Sequence, residues 1–501
     1  MSTDQPPART HVELRRGAYA DSVALLQVSK DVAATDGVAA AQVAMATPLN
    51  VAVLADMGFA VPASATPNDL VVAVRFEDQE LAPVLAAVEA ALAATSRRDL
   101  AGTGTLAAPR TTGSALRRTA ANLALVSVPG EHAFVEAMDA VEAGCDVLVF
   151  SDNVPLEQEV ALKRAAGAAG VLVMGPDCGT AVVGGLGLGF ANTVQPGPVG
   201  IVAASGTGCQ QVLTLLDAAG VGVSAALGVG GRDLSAPVGG LSTRQALLRL
   251  DADPATELII VVSKPPAPVV AEELTELAAG LHTPVQLALL GPGRPDLTAA
   301  TEQALTALGR PVPAWPTWGT PATGHRPGFL RGLFVGGTLC DEAMLIASES
   351  LGPVRSNIPL RPELALGPDL RAAAHLMIDF GDDALTAGRA HPMIDPTLRL
   401  AALAAQAADP STGVLLLDVV LGHGAEDDPA AALARAVAAA RRAAADSGRD
   451  LPVVVACIGT RRDPQGLAAQ AGALAEAGAV VFASNAAAAR HAVSLLAPGD
   501  R

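Results

Sequence analysis

Residues that could bind an anion recur at the ends of apolar runs in the middle of this chain. The sequence SGTG (Ser205–Gly208) follows the run Val199–Ala203, and GVGGRD (Gly228–Asp233) follows Gly222–Leu227. A glycine-rich turn that leads into a helix presents backbone N–H groups, and the helix dipole adds positive potential there. The two loops therefore predict a site for a phosphorylated or carboxylated ligand. Its expected binding residues are Ser205, Gly206, Thr207, Gly208, Gly228, Gly230, Gly231 and Asp233.

Each of these loops also has a purely structural interpretation. A serine or threonine at the start of a helix commonly caps it, so Ser205 or Thr207 could close a tight turn without any ligand. Asp233 could likewise cap the next helix instead of orienting an amide of the ligand. The loop Asp177–Gly179, which ends an earlier apolar run, is expected to line the same pocket. Its Cys178 has no base near it in the sequence, so we do not expect a nucleophilic thiol.

Comparable loops follow apolar runs in the last third of the chain. The sequence GGT (Gly336–Thr338) mirrors SGTG, so a second helix N-terminus could face the same anion. His423 and His391 are the candidate catalytic residues, because an unperturbed imidazole titrates near neutral pH. The alternatives are an exposed loop histidine for His423 and a structural pairing with a nearby aspartate for His391. The expected binding residues of this part are Gly336, Gly337, Thr338, Gly422 and Gly424.

The composition excludes several classes of protein. The net charge is −17, and no cluster of Lys and Arg offsets it, which argues against nucleic acid as a partner. The N-terminus lacks an apolar signal segment, and no stretch has the roughly 18 consecutive apolar residues of a membrane span, so we expect a cytoplasmic protein without a membrane partner. The five cysteines are scattered and never spaced as C-x-x-C. Neither a disulfide framework nor a metal site is therefore assigned.

The order of apolar runs predicts an α/β protein. The first part reads as a small α+β unit in βαβαβα order, and regular alternation of strands and helices begins near Asn122. Such alternation indicates parallel sheets covered by helices on both faces. The proline-rich stretch Arg310–Arg326 is a plausible linker. The predicted domains are residues 1–97, 98–195, 196–312 and 325–501.

Several motifs, in this order, make the chain similar to the NDP-forming acyl-CoA synthetase superfamily. SDNVP from Ser151, MGPDCG from Met174, PGPVGIVAASGTG from Pro196 and GVGGRD resemble the α subunit of succinyl-CoA synthetase. GLFVGGTLCDEA, VVLGHGAEDDP and VVVACIGTRRD resemble the C-terminal domain of its β subunit. The chain is identified as a member of the FdrA family, which joins both parts, and GAYADSV and ATPNDLVVA also resemble that family.

The resemblance implies the nature of each predicted domain. Residues 98–195 would be a truncated CoA-binding-like Rossmann domain. Residues 196–312 and 325–501 would be flavodoxin-like domains of the α type and of the β C-terminal type. The expected fold is thus a tandem of parallel-sheet Rossmann-like and flavodoxin-like domains with a small N-terminal α+β unit.

The same resemblance implies two related reactions. CoA ligases use a TGxxG loop for CoA, a phosphohistidine in a GHAG setting and an ATP-grasp domain, none of which this chain contains. CoA is therefore not an expected ligand, no cofactor is assigned, and phosphate or carbamoyl phosphate is expected instead. FdrA-like proteins are linked to allantoin catabolism, where a carbamoyl group passes from an oxalurate-type ureide to phosphate, giving oxamate and carbamoyl phosphate.

Three functions stay open at this point. We expect carbamoyl transfer on a small carboxylate or ureide, with protein partner subunits. The alternatives are a succinate–CoA ligase-like activity and a non-catalytic subunit that binds an acyl-CoA or acyl phosphate. Replacement of the CoA loop favours the last of these.

Overall fold

The computed structural model describes residues 9–18, 22–77, 81–100, 109–386 and 390–497. Two compact units divide the chain, Met1–Ala108 and Pro109–Arg501. The predicted α/β class is confirmed, since most strands lie in parallel sheets with helices between them. Within the described residues, no helix has both the length and the apolar content that crossing a bilayer requires.

The first unit has the predicted βαβαβα order. Its central strand, β3, has the apolar sequence LVVAVRF, is buried on both faces and pairs antiparallel with β1 and β2. Helices α1 and α3 pack on one face of β3, and α2 packs on the other through Leu54. The elements are β1 (Arg9–Arg15), α1 (Ser22–Ala33), β2 (Val38–Met45), α2 (Pro48–Asp56), β3 (Leu70–Phe76) and α3 (Leu81–Leu100).

The second unit contains the regular strand and helix alternation that the sequence predicts. Its strands are β4 (Leu123–Val126), β5 (Asp146–Val149), β6 (Val173–Met174), β7 (Thr180–Val183), β8 (Leu186–Gly189), β9 (Pro196–Ala204), β10 (Val223–Gly228), β11 (Leu258–Ser263), β12 (Val285–Leu289), β13 (Thr317–Trp318), β14 (Phe329–Phe334), β15 (Arg355–Ser356), β16 (Leu376–Asp379), β17 (Thr412–Val420), β18 (Val453–Ile458) and β19 (Val480–Phe482). Its α-helices are α4 (Thr112–Leu116), α5 (Gly130–Glu142), α6 (Leu156–Ala169), α7 (Gly206–Ala218), α8 (Leu241–Asp251), α9 (Pro268–Ala279), α10 (Leu297–Ala307), α11 (Gly337–Leu351), α12 (Asp383–Thr386), α13 (Thr397–Ala408), α14 (Pro429–Asp446), α15 (Leu467–Glu476) and α16 (Asn485–Ser494). A 3-10 turn occupies Pro362–Leu364.

Three sheets organise this unit. Strands β4, β5 and β6 form a small parallel sheet, the second sheet has the order β12-β11-β9-β10-β7-β8, and the third has the order β13-β19-β18-β17-β14-β16-β15. The hairpin β7–β8 was not predicted, and it makes the second sheet mixed because β7 runs antiparallel to β10. Gly184 and Gly185 form its two-residue turn with φ of 58° and 77°, a conformation that glycine adopts without steric cost. The hairpin precedes residue 195, where a domain boundary is predicted, yet belongs to the second sheet.

Four helices join the second and third sheets into one core. Helices α7, α10, α11 and α16 pack together and against faces of both sheets, with Ala, Val, Leu and Cys at the contacts. Small side chains let the helices approach closely, which maximises dispersion contacts. This core fixes the position of the first turns of α7 and α11 relative to each other.

A buried polar network locks the same helices in register. Gln211 on α7 donates to Ala483 O and accepts from the backbone N of Asn485, the first residue of α16. Asn485 Nδ2 in turn donates to Glu342 on α11 at 2.7 Å, and the other carboxylate oxygen of Glu342 accepts from Leu297 N on α10. Buried polar groups need such partners, so sliding one helix past another would break several hydrogen bonds at once.

Candidate functional site

The N-termini of α7 and α11 meet in the folded chain. Ser205 caps α7, and its Oγ donates to Thr338 Oγ1 at 2.6 Å in the first turn of α11. Thr207 sits against Gly336, where an added methyl group would lie 2.9 Å from Thr207 Oγ1. The residues of SGTG and GGT, far apart in sequence, are thus in direct contact. Helix α7 begins at Gly206, so the glycines of SGTG form its first turn.

Both helix ends keep backbone donors for a ligand. The first N–H groups of an α-helix have no partner inside the helix. In α7 the N–H of Gly208 donates to Ser205 Oγ at 2.9 Å. The N–H groups of Gly206 and Thr207 are left to donate to a ligand. The N–H groups of Gly337 and Thr338 occupy the same positions in α11. Gly206, Thr207 and Gly337 are partly accessible to solvent, so an anion can reach the two dipoles.

Asp418 at the centre of the third sheet holds the GGT turn in place. Its two carboxylate oxygens accept from Val335 N at 2.8 Å and from Gly336 N at 2.9 Å. Arg399, itself almost fully buried, lies 3.2 Å from Asp418 Oδ1 and donates to Leu333 O. Because both charges are buried and paired, the turn before α11 has little freedom to move.

Lys264, which the sequence analysis did not single out, lies at the junction. It directly follows β11, and a methyl group on Gly337 would lie 3.2 Å from Lys264 Nζ. Its ammonium has no hydrogen-bond or ion-pair partner among the described residues. An unpaired ammonium beside two helix N-termini is the arrangement expected of an anion site. The available signal was its position directly after LIIVVS, a strand that is apolar except for its last residue.

Carboxylates surround Lys264 without contacting it. Burial raises the pKa of Asp379 to about 7 and that of Asp341 to about 6, although the Lys264 charge opposes both shifts. Burial alone would lower the pKa of Lys264, but Asp341, Asp379 and Asp177 raise it above its usual value. Asp341 is only 7% exposed and has no hydrogen-bond partner among the described residues. Near neutral pH the Lys264 ammonium therefore stays protonated, whereas the carboxylates around it are only partly ionised.

The starts of α7 and α11 together with Lys264 define a region that we call the cleft. The loop Asp177–Gly179 lies along one side of it. A methyl group on Gly206 would lie 3.8 Å from Gly179 Cα, which places the loop beside the start of α7. The side chain of Asp177 reaches solvent, but the surrounding protein desolvates it enough, together with the Asp383 carboxylate, to raise its pKa to about 7. Cys178 is buried, and burial raises the pKa of its thiol to about 12, so it is neither a nucleophile nor an exposed lining residue.

The Gly228–Asp233 loop packs onto this side of the cleft. Methyl groups on Gly228 and Gly230 would lie 2.3 Å from Thr180 O and Pro176 O, so both glycines serve close approach of two backbones. At Gly231 a methyl group would lie 3.6 Å from Asp177 Oδ2, next to the cleft. Of the three predicted glycines, only Gly231 thus faces a side chain of the cleft.

Asp233 caps α8 and pairs with a buried lysine, so it is not free to make the expected contact with the ligand. It is fully buried and accepts from Thr243 N at 2.9 Å and Ser242 N at 3.2 Å, which caps α8. It also pairs with the buried Lys163 at 2.7 Å, and Lys163 pairs with Glu159 at 2.8 Å. Both carboxylate oxygens are occupied, so a ligand would have to break these bonds.

His391 lies beside the cleft. A methyl group on Gly381 would lie 2.8 Å from His391 Nε2 and 3.2 Å from Asp379 Oδ1, so the histidine borders the loop after β16. Its ring packs on Phe190, and its Nδ1 accepts from Met393 N at 3.2 Å. Burial lowers its pKa to about 4. The ring is therefore neutral at pH 7, and this network assigns its proton to Nε2, which suits it to donate a hydrogen bond.

His423 lies against a different segment. Its N donates to Ala191 O at 2.8 Å, its Nε2 is 3.2 Å from Thr193 Oγ1, and the imidazole is exposed. Methyl groups on Gly422 and Gly424 would lie 2.6 Å from Ala191 O and 3.1 Å from the Phe190 ring, so these glycines allow close packing. Among the described residues, no recorded contact of His423 reaches the SGTG or GGT loops. The predicted histidines are thus not brought together.

Comparisons with known proteins agree with this architecture. A CoA-ligase family model matches residues 333–495. The Escherichia coli (strain K12) protein YahF is 37% identical over 504 residues, which cover 95% of this chain and 96% of that protein. The chain belongs to the YahF family. The mitochondrial succinate–CoA ligase [ADP-forming] subunit alpha-2 of Trichomonas vaginalis is 30% identical over 154 residues, which is 30% of this chain and 48% of that protein. The CoA-ligase match and this likeness support membership of the chain in the acyl-CoA synthetase superfamily, and the chain spans about half of that ligase subunit.

A solved structure is matched more weakly. The Ca. Korarchaeum cryptofilum dinucleotide forming acetyl-coenzyme A synthetase 1 in complex with phosphate and ADP shares 16% identity, over 75% of this chain and 82% of that chain, with a TM-score of 0.27. This value is too low to equate individual residues of the two sites.

The first unit matches a second family model, the AllF heavy metal-associated domain, over residues 7–108. Heavy metals favour thiolate and imidazole ligands. Residues 1–108 contain no cysteine and a single histidine, His11, whose Nε2 lies 3.4 Å from Glu13. Within the described ranges, no group of three or more His, Cys, Asp or Glu is arranged to hold a metal. The residues of this unit therefore do not fit the metal that the family's name implies.

Proposed function

We propose that this chain is an FdrA-type protein that binds an acyl or carbamoyl phosphate in the cleft between α7 and α11, and that it transfers a carbamoyl group in ureide catabolism together with partner subunits. The observation that supports this most is the contact of Ser205 with Thr338 at 2.6 Å beside the unpaired Lys264. Two helix N-termini and one ammonium lie close together there, which is an arrangement suited to a phosphoryl group.

The geometry suits a reaction whose leaving group is phosphate. When an amide nitrogen of oxamate attacks the carbonyl carbon of carbamoyl phosphate, a C–N bond forms. The bond between that carbon and the bridging oxygen of the phosphate breaks. The phosphate departs with the electron pair, and the nitrogen loses its proton to a base or to water. The N–H groups of Gly206 and Gly337 and the Lys264 ammonium would stabilise the charge that grows on the departing oxygen. The reverse direction consumes oxalurate and phosphate.

A ligase-type reaction is the second candidate, favoured by the similarity of residues 333–495 to CoA ligases. It passes through an acyl phosphate as well, so the same donors would serve. The ends of β4 and β5 leave little room for the CoA that a ligase reaction would need. Gly130 packs against the backbone of Asp152 and Asn153, and a methyl group on it would lie 2.1 Å from Asp152 O. Ser151 Oγ also donates to Val128 O at 2.5 Å, so the ends of these strands are closed on each other.

The test is a paired assay on the purified full chain, alone and with the products of neighbouring genes. Oxamate with carbamoyl phosphate should release phosphate, whereas succinate with CoA and ATP should not consume CoA. Lys264→Met should abolish release, and Lys30→Met, at an exposed position of the first unit, should leave it unchanged. Consumption of CoA would favour the ligase. Silence in both assays, combined with no binding of phosphate or carbamoyl phosphate, would overturn the proposal.

A further inference from the structure

Asp177 is an exposed hydrogen-bond acceptor held in an uncommon conformation. Its φ is 57°, in the left-handed region that few residues other than glycine adopt. Its carboxylate has no hydrogen-bond or ion-pair partner among the described residues. A side chain at Gly179 would meet nothing within 4 Å, and one at Gly231 would lie 3.6 Å from Asp177 Oδ2. The carboxylate of Asp177 thus lies beside Gly231, and there is open space next to Gly179.

This carboxylate shares the cleft with the phosphate-binding groups. Gly179, two residues on, lies beside the start of α7, and Lys264 is close enough to Asp177 for the two charges to influence each other's pKa. The cleft thus has two chemically distinct ends. Backbone N–H groups and an ammonium form a donor end, and Asp177 forms an acceptor end.

The acceptor end is poorly suited to a second anion. Asp152 and Asp383 lie close enough to raise the pKa of Asp177, whereas Arg232 and Lys264 lower it. The three carboxylates outnumber the two cations, which disfavours a further carboxylate or phosphate and favours a group that donates N–H bonds. A metal ion does not explain them, since no metal-holding group of three occurs within the described residues.

Resting on the proposed function, we propose that Asp177 is the specificity residue of the cleft and selects acyl phosphates whose acyl group carries N–H donors. The chemical class is that of carbamoyl phosphate, in which an NH₂ group replaces the methyl group of acetyl phosphate. The phosphoryl group binds at the helix N-termini and Lys264, and the NH₂ group donates to Asp177. A methyl group in the same place leaves the carboxylate desolvated without a partner.

A matched pair of stable analogues tests this without any turnover. Phosphonoacetamide and acetonylphosphonate differ only in an NH₂ group against a methyl group, and their binding to the full chain is measured by calorimetry near pH 8. The wild type should bind phosphonoacetamide about 10- to 100-fold more tightly, the range expected of one hydrogen bond to a charged group. Asp177→Gly, which keeps the left-handed backbone without strain, should abolish this preference and leave acetonylphosphonate bound as tightly or more tightly. Asp177→Asn retains one acceptor oxygen and should retain part of the preference.

Asp31→Asn is the matched control, because it removes an exposed carboxylate of the first unit and keeps Asp177 and its neighbours. It should preserve the preference. Equal binding of both analogues by the wild type, or equal weakening of both by Asp177→Gly in a folded protein, would overturn the assignment of Asp177 alone. Failure of the wild type to bind either analogue or phosphate would instead overturn the proposed site.

Discussion

Replacing Lys264 by methionine should weaken phosphate binding more than any other single change in the cleft. A hydrogen bond between charged groups contributes about 1.5–3 kcal/mol, which corresponds to about 10- to 150-fold in Kd. Each helix N-terminus contributes only about 0.3–1 kcal/mol. Lys264 has no competing ion-pair partner among the described residues, so its ammonium is free to bind the ligand.

The neighbouring carboxylates make phosphate binding by the Lys264→Met variant depend on pH. Without Lys264, the pKa values of Asp379 and Asp341 rise further, since the charge that lowers them is gone. At pH 6 both carboxyl groups are then largely neutral and repel phosphate little. At pH 8 they are more ionised and repel phosphate more strongly, so the Lys264→Met variant should bind phosphate more weakly at pH 8 than at pH 6.

Calorimetric titration with inorganic phosphate at low ionic strength measures this loss. Lys264→Arg keeps the charge and should retain most of the affinity, and Lys30→Met should behave as the wild type. Thermal unfolding verifies that each variant is folded. A folded Lys264→Met variant that binds phosphate within twofold of the wild type would refute the assignment of the anion site.

Three further predictions concern the same region. The pKa of Asp379 is raised from 3.8 to about 7, so the folded chain binds more protons than the unfolded chain. The free energy of unfolding therefore falls as pH rises toward and through 7. The lowered pKa of His391 affects this free energy mainly below pH 6.5. Thermal melts between pH 6.5 and 8 should show this loss in the wild type and a smaller one in Asp379→Asn, and equal slopes would contradict it. Lys163→Met should destabilise the second unit by about 3–5 kcal/mol in urea, because Asp233 and its neighbours become uncompensated buried charges; a loss below about 1 kcal/mol would show that the charge network is dispensable. Gly337→Ala should weaken phosphate binding, because its methyl group would lie 3.2 Å from Lys264 Nζ in the first turn of α11. Unchanged affinity in a folded variant would mean that phosphate does not approach this turn.

The sequence predicted the loops of the site better than their roles. SGTG and GGT have a local signature, an apolar strand followed by glycine and a hydroxyl at a helix start, and both lie in the cleft. Asp233 shares that signature but caps α8 and pairs with Lys163, a partner 70 residues away that no local pattern reveals. His423 and His391 were chosen for their ordinary pKa, yet one is directed at Thr193 and burial makes the other neutral.

The family interpretation was also only partly within reach of the sequence. Ordered motifs identified the acyl-CoA synthetase superfamily, which the CoA-ligase match and the similarity to a succinate–CoA ligase α subunit support. The FdrA assignment and carbamoyl transfer stay proposals. The hairpin β7–β8 was overlooked because its short strands, TAVV and LGLG, carry too few residues for a clear alternation.

By itself the sequence determined most of the buried strands, roughly where they end, and that glycine and hydroxyl residues follow several of them. Those properties depend on local patterns of apolar residues, which the chain carries in any fold. Only the tertiary structure decided which strand ends meet. Packing of α7 against α11 brings Ser205 to Thr338 across 133 positions and places Lys264 and Asp177 in one cleft. Proximity and burial, which set the pKa values and the free donors of this cleft, are properties of the packed core and not of any segment alone.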